Sequence, residues 1–358
     1  PDDRFSMIRP YFHHAVFYGF MLCLASTTVA FFYDHLLHRP APYPFWSWPV
    51  VLGTVGGLAL LAKRAGYTVT GSDRHTYPPM STQLEDAGIQ VLEGYDQAQL
   101  DPAPDQVVVG NAMSRGNPCV EYLLAQGLRY TSGPQWLAEN VLQGRWVLGV
   151  AGTHGKTTTA SMLTWILEFA GLQPGFLIGG VPENFGVSAR TGDGPYFVVE
   201  ADEYDTAFFD KESKFLHYRP QVAVITSIEF DHADIFADID AIKRSFRKFV
   251  ALLPADGLLI ANLADENVAE IAAQAPCTVQ GYGFDPAYTW VASDITISSG
   301  QTRFNVSKNG AFWSSMSVGL AGRHNCLNSL AVCAIMDHLG VAPADIDRGL
   351  SNFGGVKR

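Results

Sequence analysis

The sequence predicts an α/β protein, with parallel sheets in two successive units, and three observations carry that expectation. From Gly57 onward, short β-branched runs alternate with stretches of helical periodicity, the order that gives parallel sheets covered by helices. Several of these runs stop abruptly in polar residues, and ligands of such sheets bind at the carboxyl ends of the strands. One run passes through a glycine turn into a helix that opens with Lys156-Thr157.

Bulk composition narrows the classes. A chain of 358 residues has length for two or three domains and a substantial core. The net charge is −11, with no run of Lys or Arg, which argues against nucleic acid as a partner. An acidic chain can still hold phosphate through the backbone N–H groups of a glycine loop. Charged residues are only 16% of the chain, a share that suggests part of it in lipid. Cys23, Cys119, Cys277, Cys326 and Cys333 are scattered and form no CxxC pair, so they are expected as reduced core thiols.

The first 56 residues stand apart. Ala15 to Tyr33 is 19 residues without a charge, a helix of ~28 Å, close to a bilayer core. Aromatic residues crowd both of its ends, as at membrane interfaces; a buried core helix is the alternative. His13, His14, His35 and His38 flank the run, where haem ligands can sit. Pro40, Pro42, Pro44 and Pro49 then read as a loop.

Residues 57–144 read as the first α/β unit. A helix is expected over Leu58–Ala65 and a strand over Tyr67–Thr70, ending in Gly71-Ser72-Asp73. Another strand covers Gln106–Val109 and ends in Gly110-Asn111. The second unit, 145–358, opens with a strand over Trp146–Ala151. A helix over Thr157–Ala170 follows, with Met162, Leu163, Ile166 and Leu167 on one face. Phe197–Val199 and Val222–Thr226 are strands of buried type. They run into Glu200-Ala201-Asp202-Glu203 and Ser227-Ile228-Glu229-Phe230-Asp231-His232.

The strongest motif is Gly152-Thr153-His154-Gly155-Lys156-Thr157-Thr158, between a strand and a helix as a P-loop requires. The glycines turn N–H groups toward phosphate and the helix N-terminus adds partial positive charge. Lys156 is placed to reach the β- and γ-phosphates and the Thr157 hydroxyl to bind Mg²⁺. Glu200 emerges at the same sheet edge and His232 after the next strand. A carboxylate and a histidine beside a P-loop point to a site for Mg²⁺ or Mn²⁺. Gly322-Arg323-His324-Asn325-Cys326-Leu327-Asn328 opens a helix over Ser329–Leu339. Asn325 and Asn328 share one face there. Asn amides can pair with an adenine edge, although alone the segment reads as a helix cap. Gly53-Thr54-Val55-Gly56-Gly57, with Asp73 20 residues after Gly53, imitates a dinucleotide fingerprint too imperfectly to predict NAD.

AGTHGKTTTA (151–160), VVEADEYD (198–205), IEFDHADIF (228–236) and GRHNCLNSLA (322–331) resemble the successive motifs of the Mur ligase family. YPPMSTQLE, GNAMSRGNPCVE, SGPQWLAENVL, GGVPENFGVSAR and FFDKESKF are similar to the branch of that family that recycles murein peptide. The resemblance implies a Rossmann-like UDP-sugar domain over 57–144 and an ATP-binding central domain over 145–358. It implies a cytoplasmic ATP-dependent ligase that joins UDP-N-acetylmuramate to L-Ala-γ-D-Glu-meso-diaminopimelate through an acyl phosphate. Lys156, Glu200 and His232 are then catalytic; Thr157, Glu200 and His232 hold Mg²⁺. ATP lies on Gly152, Thr153, His154, Gly155, Lys156, Thr157 and Thr158, with His324, Asn325 and Asn328 around adenine. Ser72, Asp73 and Asn111 face the UDP-sugar, and Asn184, Ser188 and Arg190 the muramyl group. An alanine-adding ligase of the same family, or a non-catalytic membrane-tethered nucleotide binder, are the alternatives. A transport ATPase fits Glu200, His232 and the Asn325 segment poorly.

Two departures from the family shape further expectations. FSMIRPYFHHAVFYGFMLCLAST and APYPFWSWPVVLGTVGG resemble the membrane part of a tricarballylate/citrate-utilisation protein B. The two resemblances meet inside GTVGGLALLA, as a gene fusion or an assembly error would produce. The family's first strand is then replaced, and inner-membrane attachment through Ala15–Tyr33 is expected only if residues 1–56 are genuine. The chain stops at Gly354-Gly355-Val356-Lys357-Arg358, about where the family's third domain begins. The expectation is a chain that binds nucleotide without full turnover.

Overall fold

The computed structural model describes residues 48–74, 78–230 and 236–357. The apolar run Ala15–Tyr33, its flanking histidines and His232 lie outside them. No helix among the described residues is long and apolar enough to cross a membrane.

The described chain opens with α1 (Trp48–Arg64). The helix expected from Leu58 therefore begins ten residues earlier and carries the Gly53–Gly57 string within it. That string is helix rather than a diphosphate loop, and it crosses the expected junction at residue 56. The stretch offers no breaker other than glycine. Pro49 falls in the first turn, where no N–H partner is needed. Lys63 and Arg64 in the last turn suit the negative end of the helix.

The first unit continues with β1 (Thr70–Asp73), α2 (Met80–Asp86), β2 (Gln90–Glu93) and β3 (Val107–Val109). It closes with α3 (Pro118–Ala125), β4 (Tyr130–Ser132) and α4 (Gly133–Asn140). The first strand starts three residues later than expected from Tyr67. The Gly66 and Tyr67 N–H groups close the end of α1, on the Lys63 and Ala62 carbonyls, so they cannot enter a ladder. β1 pairs with β2 and β3 with β4, both parallel, as two separate ribbons. Asn117 caps α3 through the Cys119 and Val120 N–H groups, and Ser132 caps α4.

The second unit holds the main sheet. Its elements begin with β5 (Trp146–Ala151), α5 (Lys156–Phe169), β6 (Gly175–Leu177), β7 (Val181–Pro182), β8 (Ala189–Arg190) and β9 (Tyr196–Ala201). They continue through β10 (Asp205–Ala207), β11 (Asp210–Ser213), β12 (Val222–Ile225), α6 (Ile239–Ala251), β13 (Leu258–Asn262) and α7 (Glu266–Ala272). They end with β14 (Thr278–Gly283), β15 (Trp290–Ser298), β16 (Gln301–Lys308), β17 (Ala311–Val318), α8 (Arg323–His338), α9 (Pro343–Ser351) and β18 (Val356–Lys357).

Ten strands form one sheet in the order β17-β16-β15-β14-β13-β12-β5-β9-β6-β8. The run from β15 to β6 is parallel, and β8, β16 and β17 are antiparallel to their neighbours. Both faces are covered. Leu148, Val150, Val222 and Val224 pack with α5 and α8 on one side. Val147, Ala151, Ala223 and Ile225 pack with α4, α6 and α7 on the other. Burial on both faces is why these strands read as continuous apolar runs without polar alternation. Met162, Leu163, Ile166 and Leu167 are fully buried, as the helical periodicity predicts.

Candidate active site

β12, β5 and β9 are adjacent and parallel, so their carboxyl ends open onto one sheet edge. The Gly152–Gly155 turn leaves β5 at the centre of that edge and enters α5. Gly152 has φ +129° and Gly155 φ +84°, a region that side chains resist. Space forbids a side chain as well. A Cβ on Gly152 would stand 2.1 Å from Thr226 Oγ1, and one on Gly155 2.9 Å from Asn328 Oδ1. Gly152→Ala is therefore expected to cost about 1–3 kcal/mol from the backbone alone, read as a lowered Tm, and to disorder the loop's hold on nucleotide.

The segment after β12 braces the turn. The Thr153 N–H donates to the Ser227 carbonyl (2.9 Å) and the His154 N–H to Ser227 Oγ (3.0 Å). The Glu229 N–H donates to Thr153 Oγ1 (2.9 Å). α5 begins without a side-chain cap, so its first N–H groups face outward for an anion. His154 is exposed, with Nε2 3.6 Å from a Glu229 carboxylate oxygen. Thr158 follows in the first turn of α5.

Lys156 is 7% exposed and folds back on its own loop. Its Nζ donates to the Gly152 carbonyl (2.6 Å) and to Glu203 (3.0 Å), and lies 3.9 Å from Asp202. Burial alone would lower its ammonium, but Glu203, Asp202 and Glu200 outweigh burial and hold it above its ordinary value. Glu200 lies inside β9 rather than after it. Its Oε1 accepts from Thr157 Oγ1 (2.7 Å) and its Oε2 from the Gly179 N–H (2.7 Å). Burial first, then the charge of Asp202, pushes its carboxyl up against the opposing pull of Lys156.

These residues suit a hard cation. Three carboxylates, Glu200, Asp202 and Glu203, stand among two ammoniums, Lys156 and Lys214, a formal balance of −1 with all five ionised. Thr157 and Glu200 offer oxygen donors only. Among the described residues no three His, Cys, Asp or Glu side chains converge as a metal cage. Mg²⁺ commonly takes one or two protein oxygens and fills its shell with phosphate and water, so the pair fits.

Other expected site residues distribute unevenly. Asn328 lies against Gly155, and Asn325 shares the first turns of α8, its amide donating to the Ala321 carbonyl (2.8 Å). The helix begins at Arg323, six residues before the expected Ser329, with His324 exposed. Ser72 and Asp73 end β1. Nearby, burial first and the charge of Asp73 second push the Tyr95 hydroxyl up to about 12. Asn111 follows β3. Ser188 is buried, its N–H donating to Gln83 Oε1 (3.2 Å). Asn184 ties the Asn352 carbonyl and the Gly354 N–H. Arg190 pairs with Glu168 (3.1 Å) and stacks on Phe176 and Phe185. Asp202, Glu203 and Lys214 escaped the sequence reading. The acidic string after Val199 could have signalled the first two, whereas Lys214 sits between Ser213 and Phe215 with no motif around it.

The chain is similar to known proteins over most of its length. The Mur ligase middle domain matches residues 150–336 and the Mur ligase family catalytic domain residues 53–145. Citrate utilization protein B matches residues 2–92, overlapping the latter. The UDP-N-acetylmuramate–L-alanyl-γ-D-glutamyl-meso-2,6-diaminoheptandioate ligase of Haemophilus influenzae is 51% identical over 309 residues, 86% of this chain and 68% of that protein. The crystal structure of the corresponding ligase of Neisseria meningitides is 51% identical with a TM-score of 0.79, covering 85% of this chain and 95% of that one. A murein peptide ligase of Psychrobacter arcticus is 45% identical with a TM-score of 0.78, covering 87% of this chain and 68% of that one. With the P-loop, the acidic strand end and the Asn325–Asn328 turn at one sheet edge, the chain belongs to the Mur ligase family.

Proposed function

We propose that this chain serves the ATP-dependent joining of UDP-N-acetylmuramate to L-Ala-γ-D-Glu-meso-diaminopimelate, in the cytoplasm. The observation that carries the reading is the convergence of Lys156, Thr157 and Glu200 at the ends of adjacent strands. The relatives at 51% identity are named for this reaction.

The chemistry follows from the charges. A carboxylate oxygen of the sugar's lactyl group attacks the γ-phosphorus of ATP and ADP leaves. The amine of the tripeptide then attacks the acyl carbon, loses a proton, and phosphate departs. Catalysis of the first step is positioning and charge stabilisation. The first-turn N–H groups of α5 cradle phosphate, and Lys156 turns from the Gly152 carbonyl to the transferred group. Thr157 and Glu200 would hold Mg²⁺, with His232 assigned to a second cation; such a metal would supply positive charge beside the phosphates. Asn325, Asn328 and His324 bound the adenine. Ser72, Asp73, Asn111 and Ser188 lie on the sugar side, while Asn184 and Arg190 shape its wall through their own internal partners.

Calorimetry on the 358-residue chain tests the reading. A non-hydrolysable ATP analogue with Mg²⁺ is expected to bind, and UDP-N-acetylmuramate to bind and tighten it. A chain that takes neither nucleotide sinks the proposal.

A further inference from the structure

The sheet ladder beside the phosphate turn stops at Ile225, which pairs with Ala151 of β5 on one side and Ala261 of β13 on the other. The chain runs on through Thr226–Glu229, the segment that braces the turn. Ile228 is fully buried, so its peptide groups need partners inside the protein. Its neighbours Ser227 and Glu229 bond to Thr153 and His154 of the phosphate turn. The approach is close, since a Cβ on Gly152 would stand 2.9 Å from the Ser227 N.

Toward β13, side chains take over from the ladder. Asn262, the last residue of β13, donates from Nδ2 to the Thr226 carbonyl (2.9 Å). The Ile228 N–H donates to Asp265 Oδ2 (2.8 Å), and Asn267 Nδ2 donates to the Ile228 carbonyl (2.7 Å). Asp265 also caps α7. Its Oδ1 accepts from the Asn267 N–H (2.9 Å) and the Val268 N–H (3.1 Å). The two oxygens thus fix α7 and the brace in one frame, which an amide with a single oxygen cannot do. Ile228 is tied to the β13–α7 turn, and the residues on either side of it to the phosphate turn, the alternation of an extended strand.

We propose that Asn262, Asp265 and Asn267 are positioning residues for the nucleotide: they hold Thr226–Glu229 in place and so keep the phosphate turn ordered before ATP arrives. This rests on the ligase reading above, through its nucleotide site. A turn released by their loss must be ordered on binding, which lowers affinity. The effect is bounded by the hydrogen bonds that transmit it.

The test is calorimetry on the 358-residue chain, with a non-hydrolysable ATP analogue in Mg²⁺ and with UDP-N-acetylmuramate, at a temperature well below every Tm. Asn267→Ala removes the donor to Ile228 and leaves the cap of α7 intact. It is expected to weaken the analogue roughly three- to tenfold, the range one lost hydrogen bond supports, with the sugar nucleotide unchanged. A background of Thr153→Val with Ser227→Ala cuts both side-chain links between brace and turn. There Asn267→Ala should lose most of its effect, a non-additivity that a merely structural role would not produce. Asp265→Asn is isosteric, and its one oxygen serves α7 or Ile228 but not both. It should repeat the result, and it carries the test should Asn267→Ala fail to fold. Unchanged affinity for the analogue, equal losses for analogue and sugar nucleotide, or full additivity in the cut background each overturn the relay and leave the ligase reading standing. Wild type that does not bind the analogue removes the ligase reading itself, and the relay with it.

Discussion

Lys156→Met is expected to abolish nucleotide binding and, separately, to destabilise the chain. The two effects have different origins. Nucleotide binding fails because the side chain that would meet the β- and γ-phosphates is gone. Stability falls because Glu203, 2% exposed, accepts from Lys156 at 3.0 Å and would lose that partner. Removing one member of a buried ion pair typically costs about 3–5 kcal/mol, since the other charge stays buried and unpaired. A second substitution separates the effects. Lys156→Met with Glu203→Gln removes both charges and is expected to recover most of the Tm while nucleotide binding stays lost. A single variant with wild-type Tm would show that the lysine does not rest on Glu203 in solution. Equal losses in single and double variants would place the cost in packing, not in charge.

The sequence made the second unit more legible than the first, and the reasons are physical. Trp146–Ala151 appears as a strand with the expected bounds, because a central parallel strand buried on both faces leaves an unbroken apolar run. α5 differs from expectation by one residue at each end, since a glycine turn and a buried face at 3.6-residue spacing fix it. Gly152 directly follows β5, Glu200 is the last residue but one of β9 and Thr157 lies in the first turn of α5, so all three sit near the boundaries that the apolar runs and the glycine turn mark. Local pattern failed where tertiary contacts decide. Glycines at 53, 56 and 57 suggested a turn, yet the backbone stays helical through them. No strand was expected over β15, β16 and β17 at one end of the sheet, although Thr302, Phe304 and Val306 are buried in alternation with more exposed residues along β16. Lys214 was invisible because a lone lysine in a polar string ordinarily reads as solvated. Only folding brings it beneath Tyr204 and beside Asp202. Asn184 and Arg190 were expected to meet the muramyl group. Residue type and nearness to a motif suggested sugar contacts, while their hydrogen bonds go to Asn352, Gly354, Glu168 and Pro174.

Glu200→Gln is expected to leave the ligand-free chain at least as stable as wild type above neutral pH, while removing the Mg²⁺ dependence of nucleotide binding. Burial and the Asp202 charge hold the Glu200 carboxyl above its ordinary value of 4.5. A carboxyl raised in this way binds more protons folded than unfolded between the two values. Its contribution to stability is therefore full below 4.5 and falls as pH rises through the raised value. Glutamine is neutral throughout and escapes that fall. It can still accept from the Gly179 N–H and meet the Thr157 hydroxyl, the two partners of the native side chain. The variant's advantage should thus shrink as pH is lowered toward 4.5. Bound cation reverses the preference, because Mg²⁺ needs the carboxylate. In wild type, Mg²⁺ with an ATP analogue should raise Tm, by about 2.7 kcal/mol of added stability at a hundredfold excess over Kd. In Glu200→Gln the Mg²⁺-dependent part of that rise should vanish, and nucleotide affinity in Mg²⁺ should match affinity in chelator. Thermal unfolding from pH 5 to 8, with and without Mg²⁺ and analogue, reads both halves. A variant that keeps the Mg²⁺-dependent shift would remove Glu200 from the metal site. A variant less stable than wild type at pH 8 would mean that the carboxylate form, not the acid, is what the folded site prefers.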